Sequence, residues 1–325
     1  MKIFMKESNY MNSIICTLYE GHYHFGVAGL VNSLSNHSYK GDIYGGFRGD
    51  IPFWAEAAKE NKTLNWKDTK TLQVTDGLYV HFMPLTTDWH LTNYKPQFMI
   101  KLMEDYGMDA KGIAYFDPDI VIKYKWDFFE TWLSYGVAMV HEIACIDMPP
   151  THPIRRGWET IISKTGRKTT RRLHSYMNAG FCGVSKIHIE FLHVWQDLIQ
   201  MAIKEYAFNP CKFTQDDSTK LFGTGDQDAF NMAAMCSESP ISEFGPEGMD
   251  FVHSGWLMSH ATGSSKPWTK NFIKWSLNGR APSIPDRTYW QNMNGPIVCF
   301  SSRTIKMKHI KMTIAAFIGR FYSRK

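Results

Sequence analysis

The stretch AYFDPDIVI, residues 114–122, sets two carboxylates, Asp117 and Asp119, on either side of a proline inside an otherwise apolar run. A run of this length between Gly112 and Lys123 reads as an interior strand, where an unpaired carboxylate is costly. Residues two apart on an extended chain point the same way, so both carboxylates can converge on one cation. Pro118 cannot donate to a ladder and marks the place where strand pairing lapses. A metal at the end of a strand is the first expectation. Because the two acids repel one another, removing either is expected to cost the metal-free fold little.

On either side of this stretch, strand-like and helix-like segments alternate. SIICTLY (13–19) reads as a strand, followed by a helix with Val27, Leu30, Val31 and Leu34 on one face and by a short strand GDIYGGF (41–47). WAEAAKE (54–60) reads as helical, LYVHFMPL (78–85) as extended, and KPQFMIKLMEDYG (95–107) as a helix opened by Lys95 and Pro96. GVAMVHEI (136–143) and MNAGFCGVSK (177–186) follow, then a helix near 188–206 with Leu192, Trp195, Ile199, Ala202, Ile203 and Tyr206 as its apolar face. Such alternation predicts an α/β fold with a mainly parallel sheet, in which ligands collect at the carboxyl ends of strands. Both TLYEGHYHFG (17–26) and the DPD stretch follow strands and so can share one cleft.

The chain has 325 residues, 44% hydrophobic and 21% charged, which fits a globular protein with one large domain over 1–290 and a tail over 291–325. Its six cysteines, Cys16, Cys145, Cys182, Cys211, Cys236 and Cys299, are scattered and read as reduced thiols, so a cytoplasmic location is expected. The sequons at Asn36 and Asn61 are then inert, and no stretch approaches the ~18 apolar residues needed to span a bilayer. The net charge of +5 is concentrated at the end: from Ser301 onward there are seven Lys or Arg and no acid. The body is near neutral, which excludes nucleic acid as its partner. A second basic run, KTGRKTTRR (164–172), reads equally as a solvated loop or as a site for an anionic group. There is no GxxxxGK[ST] and no strand-linked GxGxxG, and HEIAC (141–145) lacks the second histidine of a zincin helix.

Four separated stretches form a pattern: YFDPD, MNAGF (177–181), GDQDAFN (225–231) and HATGSSKPW (260–268). Together and in this order they resemble the glycosyltransferases of the GT-A fold, nearest to the retaining family 8 type that uses nucleotide-diphosphate sugars. The resemblance covers roughly residues 13–268. It implies that Asp117, Asp119 and His260 hold Mn2+ or Mg2+, and that Lys266 holds a phosphate oxygen of a UDP-sugar, with Gly263 setting the spacing between them. It also implies that Thr17 and Tyr19, on the strand leading to YEGHY, lie where the nucleotide base is held. Asn178, Ala179 and Gly180 would approach the donor sugar, Asp226 would contact sugar hydroxyls, and Gln227 would face the anomeric carbon. Asp226 is also a plausible helix N-cap, and Lys95 reads equally as a donor contact or as helix-start packing. Residues 256–259 have no counterpart in that pattern, so His253 competes with His260 for the metal.

The reading this supports is a metal-dependent, retaining transfer of a hexose from a UDP-sugar to a saccharide or lipid-linked glycan, in cell-surface polysaccharide or lipopolysaccharide synthesis. A second reading inverts configuration with Asp226 or Asp228 as general base, and a third is a catalytically silent sugar-nucleotide or glycan-binding subunit. In the tail, Ile305, Ile310, Ile314, Phe317, Ile318 and Phe321 recur at mostly helical spacing among the basic residues. Such a helix either packs on the domain or lies on an anionic membrane surface, which would make the protein peripheral on the inner face of the cell membrane.

Overall fold

In the computed structural model, which describes residues 12–106, 109–143, 147–216 and 220–321, the first strand, β1, spans Ser13–Glu20. Cys145, Arg324 and Lys325 lie outside the described residues. Along β1, Ile14, Cys16 and Leu18 enter one hydrophobic cluster and Ile15 and Tyr19 another, because a strand directs alternate side chains to opposite faces. The chain continues through α1 (His24–Asn36), β2 (Gly41–Arg48), β3 (Lys59–Glu60), β4 (Lys70–Thr75), β5 (Leu78–Pro84), α2 (Lys95–Asp105) and β6 (Gly112–Phe116). It then forms β7 (Ile120–Ile122), α3 (Trp126–Leu133), β8 (Val137–His141), α4 (Pro153–Lys164), β9 (Met177–Ser185), α5 (Glu190–Glu205) and α6 (Gly225–Cys236). The last elements are β10 (Ile241–Phe244), β11 (Met258–His260), α7 (Phe272–Leu277), α8 (Ile284–Gln291) and α9 (Ser302–Ile318).

Among the described residues nine strands form one sheet in the order β10-β8-β9-β6-β1-β2-β5-β4-β3, and β11 pairs with β7 in a small second sheet. The centre, β6-β1-β2-β5, is parallel; β9 runs antiparallel between β6 and β8, and β4 is antiparallel to β5. Residues of α2, α4, α5 and α6 pack on one face of the sheet, and those of α1, α3, α7, α8 and α9 on the other. The expected mixed α/β architecture is present. Strand order reverses at β1, which has β2 on one side and β6 on the other, so a crevice opens beyond the carboxyl ends of β1 and β6. Asp117 follows β6 directly at that crevice.

Two local expectations differ from the structure. Residues 54–60 are not a helix: a 3-10 turn at Phe53–Ala55 leads into β3. Of this segment only Ala55 is fully buried, so a helix there would have no apolar stripe to support it. Residues 153–164 form an unanticipated helix, α4, whose Trp158, Ile161 and Ile162 are buried, as is Arg155. The basic run that follows is largely engaged: Arg167 pairs with Asp197 at 2.7 Å, and the Arg171 guanidinium donates to the carbonyls of Ala234, Ser237 and Ser239.

The C-terminal helix α9 buries Ile305, Met312 and Ala315 in the core beside α7 and α8, and Lys308 donates to the Lys270 carbonyl at 3.0 Å. Its other side exposes Met307, Ile310, Ile314 and Phe317, a row at three- and four-residue spacing, with Phe321 one turn beyond. No helix among the described residues is long and apolar enough to cross a membrane.

Close approach of α1 to the DPD turn depends on Gly26, where a Cβ would lie 2.2 Å from the Pro118 carbonyl oxygen and 2.7 Å from the Trp268 ring. Gly26→Ala is expected to lower the unfolding free energy by about 1–3 kcal/mol through overpacking against backbone. Urea unfolding measures this, and an unchanged midpoint would show that the turn moves freely.

Candidate active site

The carboxylates converge because the chain makes a tight turn after β6. The Asp117 amide donates to Gly180 O at 2.7 Å and the Ile120 amide donates back to Asp117 O at 3.0 Å, while Pro118 has no amide to offer. The small antiparallel sheet supplies the third group. His260 pairs in register with Ile120, which sets its imidazole beside Asp119. His260 Nε2 lies 3.2 Å from Asp119 Oδ1 and 3.8 Å from Asp117 Oδ2. Ligand atoms of Asp117, Asp119 and His260 all fall within 4.8 Å of one another. Two carboxylate oxygens and one imidazole nitrogen suit a divalent cation such as Mn2+. His260 Nδ1 is buried and finds no hydrogen-bond partner among the described residues, so the ring's engaged side is the one facing the carboxylates. The structure thus brings His260, not the exposed His253, to the acids.

Two lysines balance the acids. Lys266 Nζ donates to Asp119 Oδ2 at 2.5 Å and to Ala261 O at 2.9 Å. Lys95 Nζ lies 3.2 Å from Asp117 Oδ1 and 3.1 Å from Asp226 Oδ2, and donates to Ala179 O at 3.0 Å. Burial opposes the charge on Asp119, but His260 and Lys266 outweigh it and hold the carboxyl well below the usual range. Burial pushes Asp226 up to about 6, Lys95 opposing the shift and Asp117 adding to it. Both lysines stay charged: burial pulls their ammonium groups down, and the facing aspartates more than compensate.

Around this cluster the NAG and DQD stretches meet. Gln227 Oε1 accepts from the Ala179 amide at 3.0 Å, and Asn178 Oδ1 accepts from the Gly180 amide at 2.8 Å. A Cβ on Gly180 would lie 2.5 Å from His260 Cε1 and 2.9 Å from Asp117 Oδ2, so only glycine lets strand β9 come this near. Gly263 sits in the loop after His260 with φ +90°, a left-handed conformation that favours glycine. Thr17 and Tyr19 are buried on β1, their hydroxyl oxygens without partners among the described residues, and Tyr19 stacks on Phe47.

Several expectations are refined. Asp226 is not the N-cap of α6, a position held by Thr224; it lies in the first turn, facing Lys95. Lys95, the first residue of α2, is 2% exposed and acts as a strut between segments. Asp228 accepts from Tyr176 OH at 2.7 Å and from the Thr224 amide at 2.8 Å, which commits both its oxygens to the fold. Removing Asp119 would not be cheap for the metal-free protein, since each acid already has a cationic partner. Four supporting residues were missed. Tyr115 donates to Asp117 Oδ1 at 2.8 Å, a contact the i, i+2 spacing could have suggested. Glu142 accepts from Asn178 Nδ2 at 2.5 Å, and Asn231 brackets the Met177 backbone at 2.8 and 2.9 Å. His22 accepts from Trp268 Nε1 at 2.9 Å, joining the YEGHY turn to the KPW loop; none of these last three has a local signal.

The chain matches no protein-family model and no curated protein. Among solved structures, the apo bifunctional glycosyltransferase WbbM is similar over 94% of this chain and 53% of that one, with 11% identity and a TM-score of 0.50. The glycosyltransferase GlyE of Streptococcus pneumoniae TIGR4 is similar over 93% of this chain and 64% of its own, at 14% identity and a TM-score of 0.49. The galactosyltransferase LgtC, in complex with donor and acceptor sugar analogues, matches over 91% and 99%, at 13% identity and a TM-score of 0.49. This chain spans about half the length of WbbM and under two thirds of GlyE. The likeness to WbbM shows a shared fold, the GT-A type of α/β sheet expected from the sequence.

Asp119→Ala is expected to destabilise the metal-free protein by about 3 kcal/mol, because it leaves the buried Lys266 without its carboxylate. Asp119→Ala/Lys266→Met should recover most of that loss. Urea unfolding in EDTA measures both; equal stability of Asp119→Ala and wild type would mean that the ion pair contributes nothing.

Proposed function

We propose that the protein is a metal-dependent glycosyltransferase that moves a hexose from a UDP-sugar to a saccharide acceptor with retention of configuration. The observation that carries this is the convergence of Asp117, Asp119 and His260, with Lys266 beside them, at the switch point of the sheet. A divalent cation bound by these three residues supplies Lewis-acid neutralisation of the diphosphate charge. On this reading Lys266 leaves Asp119 for a phosphate oxygen as donor binds, staying within the same buried cluster. Lys95 keeps Asp117, Asp226 and the Ala179 carbonyl in fixed relation, so the donor sugar meets a preformed surface. Asn178 and Gln227 are held by the Gly180 and Ala179 amides, and Gln227 also meets Tyr176; on this reading the partly buried Gln227 side chain faces the anomeric carbon. Retention is favoured over inversion because Asp228 is committed to Tyr176 and Thr224 and Asp226 is paired with Lys95, so neither is placed to take an acceptor proton. The intact cluster argues against a silent binding subunit.

Gln227→Ala is expected to lower turnover of a UDP-hexose by 10- to 100-fold while changing UDP affinity little, since its contact is to the reacting sugar. Release of UDP with Mn2+ and calorimetric UDP binding measure the two quantities. Equal losses in both would make Gln227 a residue of the fold alone.

The proposal extends to location. The exposed row of Met307, Ile310, Ile314 and Phe317 on α9 is flanked by Arg303, Lys306, Lys311 and Arg320, a pattern that suits the surface of an anionic bilayer carrying lipid-linked glycans. Replacing Ile310, Ile314 and Phe317 together by Ser spares the packed side of the helix. This variant is expected to lose co-sedimentation with phosphatidylglycerol vesicles at low salt, and sedimentation equal to wild type would remove the helix as anchor.

A further inference from the structure

A groove of about 600 Å3 lies outside the cluster just described, between the loops flanking β4 and β5 and the outer side of α2 and α5. Its size falls within the range of small-ligand sites, roughly 300–1,000 Å3. Trp89 and Tyr94 contribute aromatic surface, both half-buried, and the half-buried Trp66 adds its edge, one of its faces being covered by Lys101. The polar groups are mostly neutral: the amides of Asn65, Gln97 and Gln200, and the hydroxyls of Thr86 and Thr87. The charged lining does not define an anion site. Lys101 lies over the Trp66 ring at 4.1 Å, and Lys67 is offset by its neighbour Asp68. Aromatic faces that can cover the C–H side of a pyranose, with amides and hydroxyls for its ring of OH groups, match a neutral oligosaccharide better than a nucleotide or a phosphate.

Hydrogen bonds tie the lining of the groove to the sheet. Trp66 Nε1 donates to Pro84 O at 2.9 Å, and Arg48, at the end of β2, donates to the carbonyls of Thr87 and Trp89 at 3.1 Å each. The same guanidinium meets Glu20, the last residue of β1, at 2.7 Å. Tyr94 immediately precedes Lys95, whose ammonium touches Asp117 and Asp226. Trp89 and Tyr94 thus lie at the carboxyl edge of the sheet, the edge that also carries the carboxylate cluster.

We propose that this groove binds the distal part of a neutral glycan acceptor, two or more sugar units beyond the reacting one, and so selects oligosaccharides over monosaccharides. The inference rests on the glycosyltransferase reading for the direction of the bound chain, but its saccharide binding is testable without turnover. Wild-type protein is titrated with maltotetraose, cellotetraose, chitotetraose and lacto-N-tetraose, and with glucose, N-acetylglucosamine and galactose, by tryptophan fluorescence and saturation-transfer NMR. At least one tetrasaccharide is expected to bind tenfold or more tightly than its monosaccharide. Trp89→Ala should weaken that binding at least tenfold, and Gln97→Ala/Gln200→Ala, on two helix surfaces, should do so without depending on how Trp89→Ala folds. UDP release from UDP-hexose with Mn2+ should stay at the wild-type rate in both variants. Failure of every tetrasaccharide to bind, or binding unchanged in both variants, would overturn the groove while UDP release leaves the enzyme reading standing. Absence of UDP release from wild type with any UDP-hexose would instead strike that reading, whatever the groove binds.

Discussion

The ammonium of Lys95 is buried among Asp117, Asp226 and the Ala179 carbonyl, and these three partners come from the turn after β6, the first turn of α6 and strand β9. A lysine so deeply placed keeps its charge only because two carboxylates face it, and two carboxylates so placed stay near one another only because the lysine lies between them. Geometry at the site follows from this mutual dependence. Asp117 is further held by Tyr115, and Gly180 lets β9 pass within contact of His260. The short β7–β11 pairing brings His260 to the other side of the same acids.

The cluster is close to electrically balanced without a metal. Three carboxylates, of Asp117, Asp119 and Asp226, face two lysines and one imidazole. On the proposed function, balance has a chemical consequence. A cation arriving alone must displace Lys266 from Asp119 and leave that ammonium buried with the Ala261 carbonyl but no carboxylate. A cation arriving with a diphosphate gives Lys266 a new anion in the same step. Coupling between metal and nucleotide would then be a property of where Lys266 sits, with no large motion of the chain required.

Much of this was legible in the sequence, for reasons that differ by residue. The acids at 117 and 119 stand out because carboxylates in an apolar run need compensation; they do converge, through a turn between β6 and β7 and not along the extended strand that their spacing suggests. The α/β pattern was readable from period alone, whereas residues 54–60 were misread because alanine and glutamate favour a helix that nothing in the fold would bury. Helix α4 was hidden by its own arginines: Arg155 is buried by donating to the Met148 and Ser175 carbonyls, a compensation invisible in one dimension. Asp228 and Asp226, two residues apart, looked alike as candidate bases, and only tertiary contacts separate a carboxylate tied to Tyr176 from one paired with Lys95. The α9 helix has one side in the core, as the packing reading expects, and another apolar row facing outward.

The account turns on the exchange of Lys266 between Asp119 and a bound diphosphate. Binding of Mn2+ followed by electron paramagnetic resonance, with and without saturating UDP, tests it most directly. The arrangement of Lys266, Asp119 and His260 leads us to expect weak binding of Mn2+ alone and at least tenfold tighter binding with UDP present, to a single site lost in Asp117→Ala. Equal Mn2+ affinity with and without UDP, or no protein-bound Mn2+ in either case, would contradict it.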